Sequence, residues 1–116
     1  MASGVHLRRS GRVEATIGVQ VTAGLQTFAA KSANVGDGGL FLVAERFGRV
    51  GEELSLSFRL PGDDEAINVR AEVRWIRQDV FGEDRRPSGM GLRFLDLSPN
   101  DGVGLRHFIR SIEALG

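Results

Sequence analysis

Residues 67–76 read INVRAEVRWI, which is the longest alternating stretch of the chain. Every second side chain in it is apolar: Ile67, Val69, Ala71, Val73 and Trp75. A strand directs successive side chains to opposite faces, so this period of two predicts a strand with one buried face. The pattern therefore places Trp75 in the core.

The segments on either side show the same alternation. Residues 54–60 read LSLSFRL, and the turn at residues 61–64 separates them from the central strand. Residues 90–95 read MGLRFL and follow the polar segment 79–88, which is typical of an exposed hairpin loop. Closer to the N-terminus, three more strands are predicted over residues 13–22, 25–33 and 40–43.

Near the C-terminus the spacing of apolar residues changes from that of a strand to that of a helix. Ser98 is placed to cap a helix, Pro99 suits the first helical position and Asp101 falls in the first turn. The i, i+3, i+4, i+7 spacing then predicts an amphipathic helix over residues 99–115, docked by Leu105, Phe108, Ile109 and Ile112. Six strands followed by one helix predict an all-β fold, a six-stranded antiparallel barrel with one C-terminal α-helix.

Composition narrows the functions available to this barrel. The 116 residues contain 15 basic and 15 acidic side chains, so no overall field attracts a nucleic acid polymer or a membrane. Cysteine is absent, and no apolar run approaches the roughly 20 residues of a membrane span. His6 and His107 lack metal-ligand spacing, and no catalytic constellation is present, so we expect a cytoplasmic protein without enzymatic activity or metal.

Residues 1–12 predict a flexible basic arm ahead of a domain over residues 13–116. The arm carries Arg8, Arg9 and Arg12. Arginine is always charged, and its planar fork binds phosphate or the O6 and N7 edge of guanine in bidentate fashion. Taken alone, such a cluster favours a solvated basic tail.

Residues 34–39 read NVGDGG and predict a sharp turn between two strands. An asparagine side chain can bond backbone groups or a base edge, and glycines expose backbone amides to an anion. Taken alone, this segment also favours a plain structural explanation, a glycine-rich hairpin turn.

In combination, the two motifs resemble the PilZ family. That family has an Arg-x-x-x-Arg segment before its first strand and an Asp/Asn-x-Ser-x-x-Gly turn, and the two jointly bind cyclic di-GMP. The resemblance extends over nearly the whole chain, through GGLFL at 38–42, VRWI at 73–76, GMGLRF at 89–94 and the helix. In style it is closest to PilZ variants abundant in myxobacteria.

The resemblance implies a PilZ-like barrel and a role for each motif residue. Arg8 and Arg12 would hold phosphates and contact guanine, with Arg9 assisting. Asn34 would contact a guanine, and Gly39 would close the turn. Gly36 stands where the family usually has serine, a loss of about 0.5–1.5 kcal/mol for one hydrogen bond. We therefore expect Gly36→Ser to tighten binding.

Two functions remain open from the sequence. The first is a cyclic di-GMP receptor that signals to an unidentified protein partner through ordering of its N-terminal arm. The second is a protein-interaction module of the same fold that binds no nucleotide. An oligonucleotide-binding barrel is disfavoured by the zero net charge and by the scarcity of aromatic residues outside core-like positions.

Overall fold

The computed structural model describes residues 11–46, 48–78 and 87–115. Within these ranges seven strands and one helix follow in chain order: β1 (Arg12–Glu14), β2 (Gly18–Ala23), β3 (Gln26–Gly36), β4 (Gly39–Val43), β5 (Glu53–Phe58), β6 (Ile67–Arg77), β7 (Gly89–Phe94) and α1 (Pro99–Leu115). The predicted helix bounds are confirmed. Most of the predicted arm and of the 79–88 loop lies outside the described residues.

Six of these strands close into an antiparallel barrel. Hydrogen-bonded neighbours follow the order β3, β2, β5, β6, β7 and β4, and β4 pairs back onto β3. The closing pairing runs from Lys31↔Val43 to Val35↔Leu40. The short β1 continues along β3 beyond the end of β2. The predicted six-stranded antiparallel barrel with one C-terminal helix is thus confirmed.

The first predicted strand, residues 13–22, is divided into β1 and β2 by a break at residues 15–17. The side chain of Ser32 on β3 fills this break. Its hydroxyl donates to the carbonyl of Ala15 at 2.7 Å and accepts the N–H of Ile17 at 2.9 Å. Ser32 is buried, so these two bonds replace ladder bonds that would otherwise be lost away from water. One inward serine therefore bends the chain without leaving a polar group unpaired.

Alternating apolar side chains fill the barrel interior. The predicted inward residues of the two central strands and the turn between them are all at most 5% exposed: Leu54, Leu56, Phe58, Leu60, Ile67, Val69, Ala71 and Val73. Side chains from β2, β4 and β7 complete the same cluster. The period-two pattern therefore identified the core correctly along most of its length.

The prediction that Trp75 belongs to this core is wrong. Its side chain is 43% exposed. Val73 pairs with Leu92, but Trp75 already pairs with Gly91, so β6 has one extra residue at this point. Such a β-bulge reverses the facing of every later side chain. It turns Trp75 to the outer surface, next to Arg74.

The C-terminal helix α1 is capped and docked as predicted. The N–H of Asp101 donates to Oγ of Ser98 at 3.1 Å, which satisfies one of the unpaired donors of the first turn. Leu105 and Ile109 are buried against the core, while Phe108 and Ile112 pack there partly exposed. The helix contacts β1 and β3. No helix among the described residues is long and apolar enough to cross a membrane.

Candidate functional site

Arg12 and Asn34 are in contact with each other. Arg12 ends the predicted arginine motif, and Asn34 begins the second predicted motif. Antiparallel pairing places Glu14 opposite Asn34 and Arg12 opposite Gly36. Nε of Arg12 donates to Oδ1 of Asn34 at 2.7 Å. Partial burial lowers the pKa of the Arg12 guanidinium from its ordinary value, yet an arginine remains charged at any physiological pH. The contact thus fixes a cation on the outer surface.

Residues 34–36 belong to β3 and not to the turn that the sequence predicted. Only Asp37 and Gly38 connect β3 to β4. The strand extends this far because β1 supplies it with a further partner, and the N–H of Asp37 also donates to the carbonyl of Gly11 at 3.3 Å. Asn34 is therefore held by a ladder on both sides, against β1 and against Phe41 of β4. A ladder is a more rigid support than a loop.

Gly36 is a glycine because β1 approaches it closely. A Cβ atom at this position would lie 2.7 Å from the carbonyl oxygen of Gly11 and 2.9 Å from Nη1 of Arg12. The arginine end can move, but the Gly11 carbonyl is backbone and can move only together with β1. The serine that is usual in the family does not fit here, so the expectation that Gly36→Ser tightens binding loses its basis.

We predict instead that Gly36→Ser lowers the free energy of unfolding by about 1–3 kcal/mol, the usual cost of forcing atoms into a packed contact. Gly38→Ser is the matched control, because a Cβ there meets nothing within 4 Å. It should change stability by less than about 0.5 kcal/mol. Urea denaturation of both variants measures the difference, and equal stabilities would show that β1 does not approach Gly36 in solution.

Gly39, the closing glycine of the second motif, is required by the approach of β4 to β7. It pairs with Arg93, and a side-chain carbon at Gly39 would overlap the carbonyl group of Leu92. Its role in the described structure is therefore close packing of two strands. Gly38, the residue before it, is exposed and has open space beside its Cα, so the uncovered backbone at this corner of the barrel is that of Gly38.

These groups lie at the edge of an open depression of about 320 Å³ on the outer barrel surface. The depression is lined by residues of β1, the β3–β4 connection, the start of β4, β6 and β7: Arg12, Gly38, Gly39, Arg74, Trp75, Gly91, Leu92 and Arg93. The structure thus adds Arg74, Trp75 and Arg93 to the residues that the sequence indicated. Three arginines and one indole give the depression a chemistry suited to an anionic aromatic ligand.

Trp75 is held in place by the buried ring of Phe41 and by the side chain of Arg77. Its ring stacks on Phe41 with centroids 5.1 Å apart, and the guanidinium of Arg77 lies 5.2 Å from the indole centroid. A side chain at Gly91 would overlap the indole, and one at Gly89 would contact the Phe41 ring. The Gly-x-Gly spacing at residues 89–91 is the sequence signal for this arrangement, because glycines on a strand leave room for rings from its neighbours.

Larger depressions exist elsewhere on the described surface. One of about 690 Å³ lies between β3 and the residues after β4, and includes Phe28, Ala30 and Ala44. Its charged lining residues are one glutamate and one arginine, Glu45 and Arg46. The smaller depression has three arginines and an exposed indole ring, so its side chains suit a ligand better than those of the larger depression. We take it as the candidate site.

Arg8 and Arg9 lie outside the described residues, so the structure brings together only Arg12, Asn34, Gly36 and Gly39 from the predicted set. His107 is exposed on α1.

The comparison with family models finds that the PilZ domain model matches residues 6–113. The chain belongs to the PilZ family. PilZ domains are non-catalytic receptor domains.

Several solved structures share this fold. The Bacillus subtilis inhibitor of motility MotI/DgrA superimposes with a TM-score of 0.77 at 25% identity, over 89% of this chain and 49% of that one. The PilZ domain of YcgR from Escherichia coli, solved with c-di-GMP, gives 0.68 at 17% identity, over 89% and 88%. PlzA from Borreliella burgdorferi, also in complex with c-di-GMP, gives 0.56 at 12% identity, over 92% and 44%.

The PilZ chain described here spans about half the length of MotI/DgrA and less than half of PlzA. A comparison with curated protein sequences gives no significant match. The three structures named above come from Bacillus, Escherichia and Borreliella, and they lend no support to the myxobacterial variant suggested by the sequence.

Proposed function

We propose that this PilZ domain is a receptor for cyclic di-GMP. The observation that supports it most is the Arg12–Asn34 hydrogen bond at the edge of a depression lined by two further arginines, Arg74 and Arg93. Cyclic di-GMP carries two phosphates and two guanines, and arginine is the side chain best suited to both groups. The similar YcgR and PlzA structures were solved with this nucleotide.

Arg12 combines with the uncovered backbone nearby to form an anion site. Its Nε is engaged by Asn34, and the side chain borders the depression, where the Nη end of the fork would contact a phosphate. Gly38 borders the same depression and is exposed, and it has no side chain that would prevent a phosphate from approaching its main chain. Asn34 fixes the direction of the guanidinium, which reduces the side-chain entropy lost when a ligand binds.

Trp75 supplies the second kind of contact that this nucleotide needs. A guanine ring stacked on an aromatic side chain contributes about 1–3 kcal/mol, largely independent of base identity. Because Phe41 and Arg77 already hold the indole, little order has to be created on binding. Base identity would come from the arginines, since Arg contacts to O6 and N7 distinguish guanine from adenine.

Signalling in this proposal uses the N-terminal arm. Arg8 and Arg9 precede Arg12 by four and three residues, close enough to close over a ligand held at Arg12. Ordering of residues 1–12 by the nucleotide would change the surface presented to a protein partner. The proposal includes no nucleic acid polymer and no membrane.

A titration with cyclic di-GMP tests the proposal directly. Trp75 is the only tryptophan of the chain, so its fluorescence reports on this depression alone. We expect saturable fluorescence and calorimetric signals with cyclic di-GMP. Affinity for cyclic di-AMP should be lower by about fivefold to a hundredfold, because one bidentate arginine–guanine contact contributes about 1–3 kcal/mol of discrimination.

If cyclic di-GMP at high concentration produces neither heat nor a fluorescence change, the receptor proposal fails. The second candidate function, a PilZ-fold interaction module without nucleotide, then takes its place. One observation favours that candidate: Gly36 lacks the motif hydroxyl, and the closeness of Gly11 leaves no space for it.

A further inference from the structure

Glu72 lies beside the candidate site and accepts hydrogen bonds from two of its three arginines. It stands on the outer face of β6, directly opposite Arg93 of β7. Its Oε1 is 3.4 Å from Nη1 of Arg74 and 3.5 Å from Nη2 of Arg93. One carboxylate oxygen is thus shared by two guanidinium groups that both line the depression.

The charged residues next to Glu72 have other partners. Glu53 faces it across the β5–β6 pairing, but Glu53 bonds Arg70 at 3.0 Å. Arg70 also bonds Asp96 at 3.0 Å, so its fork is engaged by two other carboxylates. Among the residues that the structure describes, the outer face of the barrel therefore holds two separate ion networks, and of these the one centred on Glu72 reaches the candidate site.

We propose that Glu72 acts as a competing counter-ion that lowers the affinity of the site for phosphate groups. The two contacts are long and all three side chains are partly exposed, so each guanidinium can turn toward a phosphate at small cost. The negative charge of Glu72, however, stays next to the bound phosphate and opposes it. The identity of the ligand rests on the proposed function, whereas the competition applies to any phosphate at these arginines.

An alternative role for Glu72 predicts the opposite effect of its removal on ligand affinity. If Glu72 orients Arg74 and Arg93 for binding, its removal weakens the site. The separations favour competition, because a single oxygen at 3.4 and 3.5 Å restrains two mobile forks only loosely. The variant Glu72→Gln removes the charge and keeps the shape of the side chain, so it separates the two roles.

The experiment compares wild type, Glu72→Gln, Glu72→Asp and Glu53→Gln as folded full-length chains. Trp75 fluorescence follows titrations with inorganic pyrophosphate and with cyclic di-GMP. We expect Glu72→Gln to bind both ligands about twofold to fivefold more tightly at low salt, the scale of one exposed ion pair. The gain should shrink as salt rises. Glu72→Asp keeps the charge and Glu53→Gln alters the other network, so both should match wild type.

Each outcome decides the proposal. If Glu72→Gln binds pyrophosphate no more tightly than wild type, or if pyrophosphate does not bind at all, competition by Glu72 is ruled out. Weaker binding by Glu72→Gln assigns the orienting role instead. If pyrophosphate binding tightens while cyclic di-GMP binds to none of the four proteins, the counter-ion role stands and the receptor function fails.

Discussion

Replacing Leu105 by alanine is expected to lower the free energy of unfolding by about 2–5 kcal/mol. Leu105 is fully buried and belongs, with Ile109, to the part of α1 that joins the core cluster. Truncation removes its apolar burial and leaves a cavity that β1 and β3 cannot fill, because both are fixed by strand pairing. Chemical denaturation followed by circular dichroism measures this change.

Val103→Ala provides the control on the same helix. Val103 is 58% exposed, so its truncation should alter stability by less than about 0.5 kcal/mol. Equal effects from the two substitutions would show that α1 does not dock through Leu105. A shallower dependence on denaturant for Leu105→Ala alone would indicate a changed denatured or partly folded state.

Replacing Arg12 by alanine is expected to weaken cyclic di-GMP binding by about tenfold to a hundredfold. A charge-assisted hydrogen bond contributes about 1.5–3 kcal/mol, and Arg12 is the cation that Asn34 aligns at the site. Isothermal calorimetry on wild type and variant gives the ratio. Stability should change by less than about 1 kcal/mol, because the one side-chain bond that Arg12 makes to Asn34 is exposed.

Arg59→Ala is the matched control for this loss. Arg59 is exposed directly after β5 and outside the depression, so its removal should leave the affinity within about twofold of wild type. Equal binding by wild type and Arg12→Ala would place the nucleotide elsewhere on the domain. Equal losses from Arg12→Ala and Arg59→Ala would indicate non-specific attraction of an anion.

The sequence predicted the barrel because burial follows chain periodicity. Wherever a strand is regular, as from Leu54 to Val73, the alternation of apolar residues gives the buried face correctly. The errors occur where a strand is irregular. The Ser32 hydroxyl breaks the first strand, and the bulge after Val73 turns Trp75 outward. Neither irregularity changes the hydrophobic pattern enough to be recognised from it.

The candidate site was predictable only in part, for a related reason. Arg12 and Asn34 belong to motifs that the family resemblance identifies, and the structure brings them into contact. Arg74 and Arg93 become neighbours only through the β6–β7 pairing, which a linear pattern does not contain. Steric space at Gly36 was misjudged because it depends on Gly11, which is distant in sequence and adjacent in space.

Closure of the barrel by the β3–β4 pairing has a thermodynamic consequence for the whole domain. The candidate site combines β1, the β3–β4 connection, the start of β4, β6 and β7, so it exists only in the folded ring. A ligand that binds only the native state raises the free energy of unfolding, by about 2.7 kcal/mol at about 100 times its Kd. Occupancy of the site would then also set the resistance of the domain to proteolysis, and the ligand concentration would control how long the receptor persists.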